Sequence, residues 1–196
     1  MAAYDATTAL LVVDVQNDFA DPGGSLFVRG AEAVVGAVNR EVDEAAAGGA
    51  VVVYTQDWHP ESTAHFEKDG GIWPVHCVGG TWGAQLHPAL HVVEHGETVR
   101  KGTGGEDGYS AFSVRDPTSG EVRSTDLDRI LARRGVERLV VVGLATDYCV
   151  KETALDAARR ELPTTVVRDA VAAVDLSAGD GERALSEMTA AGVELV

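Results

Sequence analysis

The sequence predicts an α/β fold, a parallel sheet with helices packed on both faces. Three observations predict it. Short, wholly apolar runs alternate with segments of helical periodicity, and a run that is apolar throughout belongs to a strand buried on both faces. Asp14, Asp57, Lys101 and Cys149 each stand at or just beyond such a run, on the carboxyl edge where sheets of this kind bind ligands. A chain of 196 residues, 45% apolar and 24% charged, suits a single domain over residues 1–196 that buries about 70% of its unfolded surface.

The elements read in order. Thr8 to Val13 is a buried strand closed by Asp14. Ala31 to Ala47 carries Val34, Val35, Val38, Val42 and Ala45 at helical spacing, and Gly48-Gly49 stops it. Ala50 to Thr55 is a second buried strand leading to Asp57, and Thr98 to Lys101 a weaker third. Thr125 to Arg134 is a helix opened by Ser124 or Thr125, with Asp126 and Asp128 in its first turn. Leu139 to Val142 is a strand, Asp147 to Arg160 a helix, and Thr164 to Val167 a strand. Gly181 to Ala191 is a helix ended by Gly192, and Val193 to Val196 a last strand. Residues 56–96 and 102–120 are weakly periodic, and irregular chain of such length is usually functional.

Charge narrows the partners. With 31 acidic against 16 basic residues, the net charge is −15, which disfavours nucleic acid and anionic membranes. No apolar run reaches membrane-spanning length, and Met-Ala-Ala-Tyr-Asp is no secretory leader. Cys77 and Cys149 are the only cysteines, too few for a disulfide framework. A cytoplasmic protein with two free thiols is the expectation.

Two constellations carry chemistry. Asp57-Trp-His59, His65 and Trp73-Pro-Val-His76 place a carboxylate and three imidazoles on one loop. These are ligand types for Zn²⁺, Fe²⁺ or Mn²⁺, and a site with open positions would be catalytic; the alternative is three unrelated loop histidines. His87, His91 and His95 read as solvated or packing residues. Cys149 falls where a strand turns into a helix, and unpaired N–H groups there favour a thiolate. Asp14 is a candidate base for it, and Lys101 a cation able to hold both. Taken singly, Cys149 is equally a small buried residue, Asp14 a strand-end cap and Lys101 a solvated charge.

Together these residues resemble the nicotinamidase branch of the isochorismatase-like cysteine hydrolases. The matching pieces are Asp14-Val-Gln-Asn-Asp-Phe19, Gly23-Gly24-Ser25-Leu26, Asp57-Trp-His59, His65-Phe66 and Trp73-Pro-Val-His76-Cys77. Gly83-Ala84, Lys101-Gly102, Tyr109-Ser-Ala-Phe112 and Gly143-Leu-Ala-Thr-Asp-Tyr-Cys149-Val follow in the family's order. The resemblance implies a Rossmann-like three-layer fold with a six-stranded parallel sheet. It assigns catalysis to Asp14, Lys101 and Cys149, and metal binding to Asp57, His59 and His76. A ligand position that varies across the family coincides with His65. The substrate wall would be Phe19, Leu26, Trp73, Tyr109 and Tyr148. A non-proline cis bond at Leu144–Ala145 would turn the Ala145 N–H toward that of Cys149, making an oxyanion hole.

The activity so implied is deamidation of nicotinamide to nicotinate and ammonia through a thioester, with pyrazinamide as a second substrate. The implied cofactor is one divalent transition metal ion (Zn, Fe or Mn, with zinc placed first), and a homo-oligomer is an open option. Amidases for N-carbamoyl compounds, ureidoacrylate or maleamate would keep the trio without needing a metal to hold a pyridine ring. Isochorismatase proper does not rely on the cysteine. A hydrolase using metal-bound hydroxide, with Cys149 incidental, and a non-catalytic binding domain are the remaining alternatives.

Overall fold

A computed structural model describes residues 4–196. The main sheet has six parallel strands in the order β3-β2-β1-β6-β7-β8. They span Thr8–Val13 (β1), Val51–Asp57 (β2), Glu97–Lys101 (β3), Arg138–Leu144 (β6), Thr164–Ala172 (β7) and Glu194–Leu195 (β8). The helices are α1 (Asn17–Ala20), α2 (Ala31–Gly48), α3 (Leu127–Arg134), α4 (Lys151–Arg159) and α5 (Asp180–Ala190). A small antiparallel hairpin, β4 (Ser113–Arg115) and β5 (Val122–Ser124), lies outside the sheet.

Strand β1 is the centre of the molecule, pairing with β2 from Ala9↔Val51 and with β6 from Thr8↔Arg138 to Val13↔Gly143. All six of its residues are buried, which is why its sequence is a continuous apolar run rather than an alternating one. Its pleat divides the interior in two. Leu10 and Val12 join the core under α2, while Ala9, Leu11 and Val13 join the core that Leu131 of α3, Ala154 of α4 and Met188 of α5 also fill. On α2 the residues at helical spacing, Val34, Val35, Val38, Val42 and Ala45, are those that turn inward. Gly49 ends the helix at φ 75°, its N–H bonding back to Ala45 and Ala46, a left-handed cap that glycine adopts without strain.

Helix α1 and the β4–β5 hairpin are not expected from the sequence, and several expected elements differ in their bounds. Strand β7 continues past Val167 to Ala172, because a register shift opposite Val141–Gly143 absorbs the exposed Arg168 and Asp169 and lets Val171 and Ala172 resume pairing. The helix expected from Asp147 opens as one π-helical turn, Thr146–Val150, before α4 begins. Helix α3 starts at Leu127; the Thr125 hydroxyl accepts the Leu127 N–H (3.1 Å) and donates to the Ala111 carbonyl (2.6 Å), holding the turn before it. Residues 58–96 are irregular but pinned, by bridges His59↔Val78 and Phe66↔Trp73 and a short 3-10 turn at Glu67–Asp69. Among the described residues, no helix is long and apolar enough to cross a membrane.

Candidate active site

Four adjacent strands, β3, β2, β1 and β6, carry the reactive side chains to one edge. Lys101 and Asp57 are the last residues of β3 and β2, and Asp14 follows β1 directly at φ 49°. Lys101 has no solvent exposure at all, so it is no solvated charge. Its Nζ donates to Asp14 Oδ2 (2.8 Å), Asp57 Oδ1 (2.5 Å) and the Gly108 carbonyl (2.5 Å), and lies 3.8 Å from Cys149 Sγ. The other oxygen of Asp14 accepts the Thr55 hydroxyl at 2.6 Å. One ammonium thus links two carboxylates and the Cys149 thiol.

Burial governs the proton balance. It pushes the Asp14 carboxyl above its usual range against the pull of Lys101. Burial also raises the Cys149 thiol well above normal; Lys101 opposes this and Asp14 reinforces it. The thiolate expected from the helix start is therefore outweighed by desolvation. Burial thus favours the thiol form of Cys149, and it makes the neighbouring Asp14 carboxylate more basic than a solvated one. Burial disfavours the Lys101 ammonium, yet Asp14 and Asp57 outweigh it and hold the cation well above its ordinary value.

The turn bearing Cys149 is tightly fitted. Gly143 has φ 111°, and a Cβ there would stand 2.1 Å from the Val13 carbonyl oxygen, so only glycine lets β6 pass β1 at this point. The Leu144–Ala145 peptide is cis, as the resemblance implies. Asp147 does not cap the helix; its carboxylate accepts the N–H groups of Val174 (3.0 Å) and Asp175 (2.9 Å) and draws the segment after β7 to the site.

Beside this group the rings of His59, His65 and His76 converge, each offering a nitrogen within 4.8 Å of the others. Asp57 Oδ2 lies 3.7 Å from His59 Nε2 and 3.9 Å from His76 Nε2. Outer partners orient two of the rings: the Pro74 carbonyl holds His76 Nδ1 at 2.8 Å and Asp107 holds His65 Nδ1 at 2.7 Å, leaving each Nε2 for the interior. Both ring nitrogens of His59 are buried without a hydrogen-bond partner, a costly state that a cation would relieve. Burial pushes His76 down to about 4, keeping it neutral and able to donate its lone pair. Three imidazoles and a carboxylate fit a divalent transition metal ion.

All five expected wall residues, Phe19, Leu26, Trp73, Tyr109 and Tyr148, line one cleft with Asp57, His65, His76 and Cys149. Ala145, Leu144 and Val174 complete it. Trp73 Nε1 donates to the Tyr109 hydroxyl at 2.9 Å, and Tyr148 packs edge-on against Trp73 with centroids 4.9 Å apart. His91 is engaged elsewhere, with Asp43 at 3.0 Å. Sequence reasoning missed Thr55, Asp107, Val174 and Gln16. The Gln16 amide accepts the Asp57 N–H (2.8 Å) and donates to its carbonyl (2.7 Å), locking the start of β1's exit loop to the end of β2. Its place between Asp14 and the first helix was the available signal.

Comparison with known proteins identifies the family. The isochorismatase-domain family matches residues 8–196. A nicotinamidase/pyrazinamidase of Mycobacterium tuberculosis is 43% identical over 193 residues, covering 96% of this chain and 97% of that one. The pyrazinamidase of Pyrococcus horikoshii in complex with zinc superposes with a TM-score of 0.86 at 39% identity, covering 97% of this chain and 98% of the other. PnC1 from L. infantum, in complex with nicotinate, gives 0.88 at 38% identity over 100% of this chain and 95% of its own. On fold, coverage and identity alike, the chain belongs to the isochorismatase-domain family of α/β hydrolases, in its nicotinamidase and pyrazinamidase branch.

Proposed function

We infer that this chain, acting as one hydrolase domain, converts nicotinamide to nicotinate and ammonia, returning the pyridine ring to NAD salvage, and accepts pyrazinamide. The observation that carries the reading is the buried Asp14–Lys101–Cys149 group, whose Cys149 lines the same cleft as His65 and His76 of the histidine cluster. A cysteine amidase needs the first, and a site that grips a pyridine nitrogen is served by the second.

Asp14 takes the Cys149 proton as sulfur bonds to the carboxamide carbon. The Ala145 and Cys149 N–H groups receive the oxyanion, and Lys101 keeps Asp14 and the sulfur in register. As the C–N bond breaks, Asp14 gives its proton to the departing nitrogen, releasing ammonia and leaving a thioester. Asp14 then takes a proton from water as the water oxygen attacks; the C–S bond breaks, Asp14 returns that proton to the sulfur, and the acid leaves as nicotinate after losing its own proton. Phe19, Trp73, Tyr109 and Tyr148 hold the ring and exclude solvent, with Leu26 closing the wall. Asp57, His59, His65 and His76 would hold the divalent ion, zinc by our reading, which supplies a Lewis acid for the ring nitrogen or for water.

The test is ammonia release from nicotinamide, pyrazinamide, ureidoacrylate and N-carbamoylsarcosine on enzyme of known zinc content. Nicotinamide and pyrazinamide are expected to turn over, and Cys149→Ala to lose at least about 10⁴-fold in kcat. Full activity of Cys149→Ala would overturn the covalent route; preference for ureidoacrylate would overturn the substrate.

A further inference from the structure

Asp107 belongs to neither the trio nor the ligand set, yet its carboxylate meets His65 Nδ1 at 2.7 Å, and that His65 ring is almost wholly buried. It arrives from the glycine-rich stretch after Lys101, where sequence periodicity is silent. Its backbone is held from both sides: the Asp107 N–H donates to the Arg115 carbonyl (2.8 Å) and the Arg115 N–H returns to that of Asp107 (2.9 Å). Arg115 ends β4, so the small hairpin outside the sheet is the brace behind this contact. A second tie, from the Thr63 hydroxyl to the Gly105 carbonyl at 2.7 Å, joins the His65 loop to the same stretch.

We propose that Asp107 is a positioning residue for the metal centre: it fixes His65 with Nδ1–H outward and Nε2 inward, making His65 a full ligand. The inference rests on the metal reading above. Of the three clustered imidazoles, only His65 has an anionic outer partner. A carboxylate there does two things to the ring. It selects the tautomer whose free lone pair is on Nε2, and it makes that lone pair more basic. Two carboxylates, Asp57 directly and Asp107 through His65, then face a divalent charge. Asp107 is partly open to solvent, with a side-chain exposure of 26%, so it is not needed to fill the core.

The test is zinc affinity of the stripped and reloaded protein, read by competition with a chromophoric chelator, alongside thermal melting of the metal-free forms. Loss of an outer partner typically weakens metal binding about 10–100-fold. Asp107→Ala is expected to show that loss, with a metal-free Tm near that of the parent. Asp107→Asn, which keeps an acceptor without the charge, should fall between. In a His65→Ala background, Asp107→Ala should add nothing further. Parental affinity in Asp107→Ala, or an additive loss without His65, would overturn the positioning role. A parent protein that binds no zinc would instead remove the metal reading itself.

Discussion

Lys101 and Asp14 meet at 2.8 Å with neither side chain reaching solvent. The two residues are 87 apart in sequence, and the same ammonium also satisfies Asp57. Removing it would strand two buried carboxylates. Lys101→Met should therefore lower stability by about 3–5 kcal/mol and abolish turnover. Urea unfolding checks the first; a midpoint unchanged from the parent would show that the carboxylates find other partners.

In the proposed route Asp14 acts as a base only when ionised, and burial already lifts it above the ordinary carboxylate value. The acid limb of kcat/KM should therefore stand above that of a solvated aspartate, about 3.9. The Thr55 hydroxyl bond favours the ionised form. In Thr55→Val that support is gone, so the limb should move to higher pH, with the plateau rate less affected. A pH–rate profile from acid to neutral decides it, read as the behaviour of the Asp14–Cys149 pair.

Away from the site, Asp156 offers a stability test. Burial raises its carboxyl, but hydrogen bonds from Ser110, Arg159 and Ser113 prevail and hold it below its usual value. A folded-state value below the unfolded one stabilises the protein above about pH 4 and ceases to do so as pH falls through that range. Asp156→Asn should lower Tm at neutral pH, and the gap should shrink on acidification. A gap independent of pH would assign the effect to packing.

Gly143→Ala places a methyl 2.1 Å from the Val13 carbonyl oxygen in a backbone of positive φ. The central β1–β6 pairing must open or the turn must move. A loss of at least about 3 kcal/mol is expected, together with loss of activity even under conditions where the protein stays folded. Equilibrium unfolding and ammonia release measure the two.

What could be read from sequence follows physical lines. Asp14, Asp57 and Cys149 were legible because each interrupts or ends an apolar run, and a parallel sheet sends such residues to one edge. Lys101 was half legible, since a lysine at a strand end is ordinarily solvated and only the folded chain shows it enclosed. Thr55 was hidden because a threonine in a strand is simply a good strand former. Asp107 was hidden because nothing periodic surrounds it, and its partner is 42 residues away. The end of β7 was misjudged because Arg168 and Asp169 look like the end of a strand, whereas the bulge carries them outward.

The pairing of β1 with β6, Thr8↔Arg138 through Val13↔Gly143, also sets when the chain becomes reactive. Asp14 leaves the ribosome early, but the strand that carries Cys149 to it is made far later. Local structure can form around α2 in the meantime, yet Asp14 and Cys149 cannot meet until that long-range pairing closes. A nascent or nicked chain that lacks β6 holds no competent thiol, so hydrolytic power arises only as the centre of the sheet is completed.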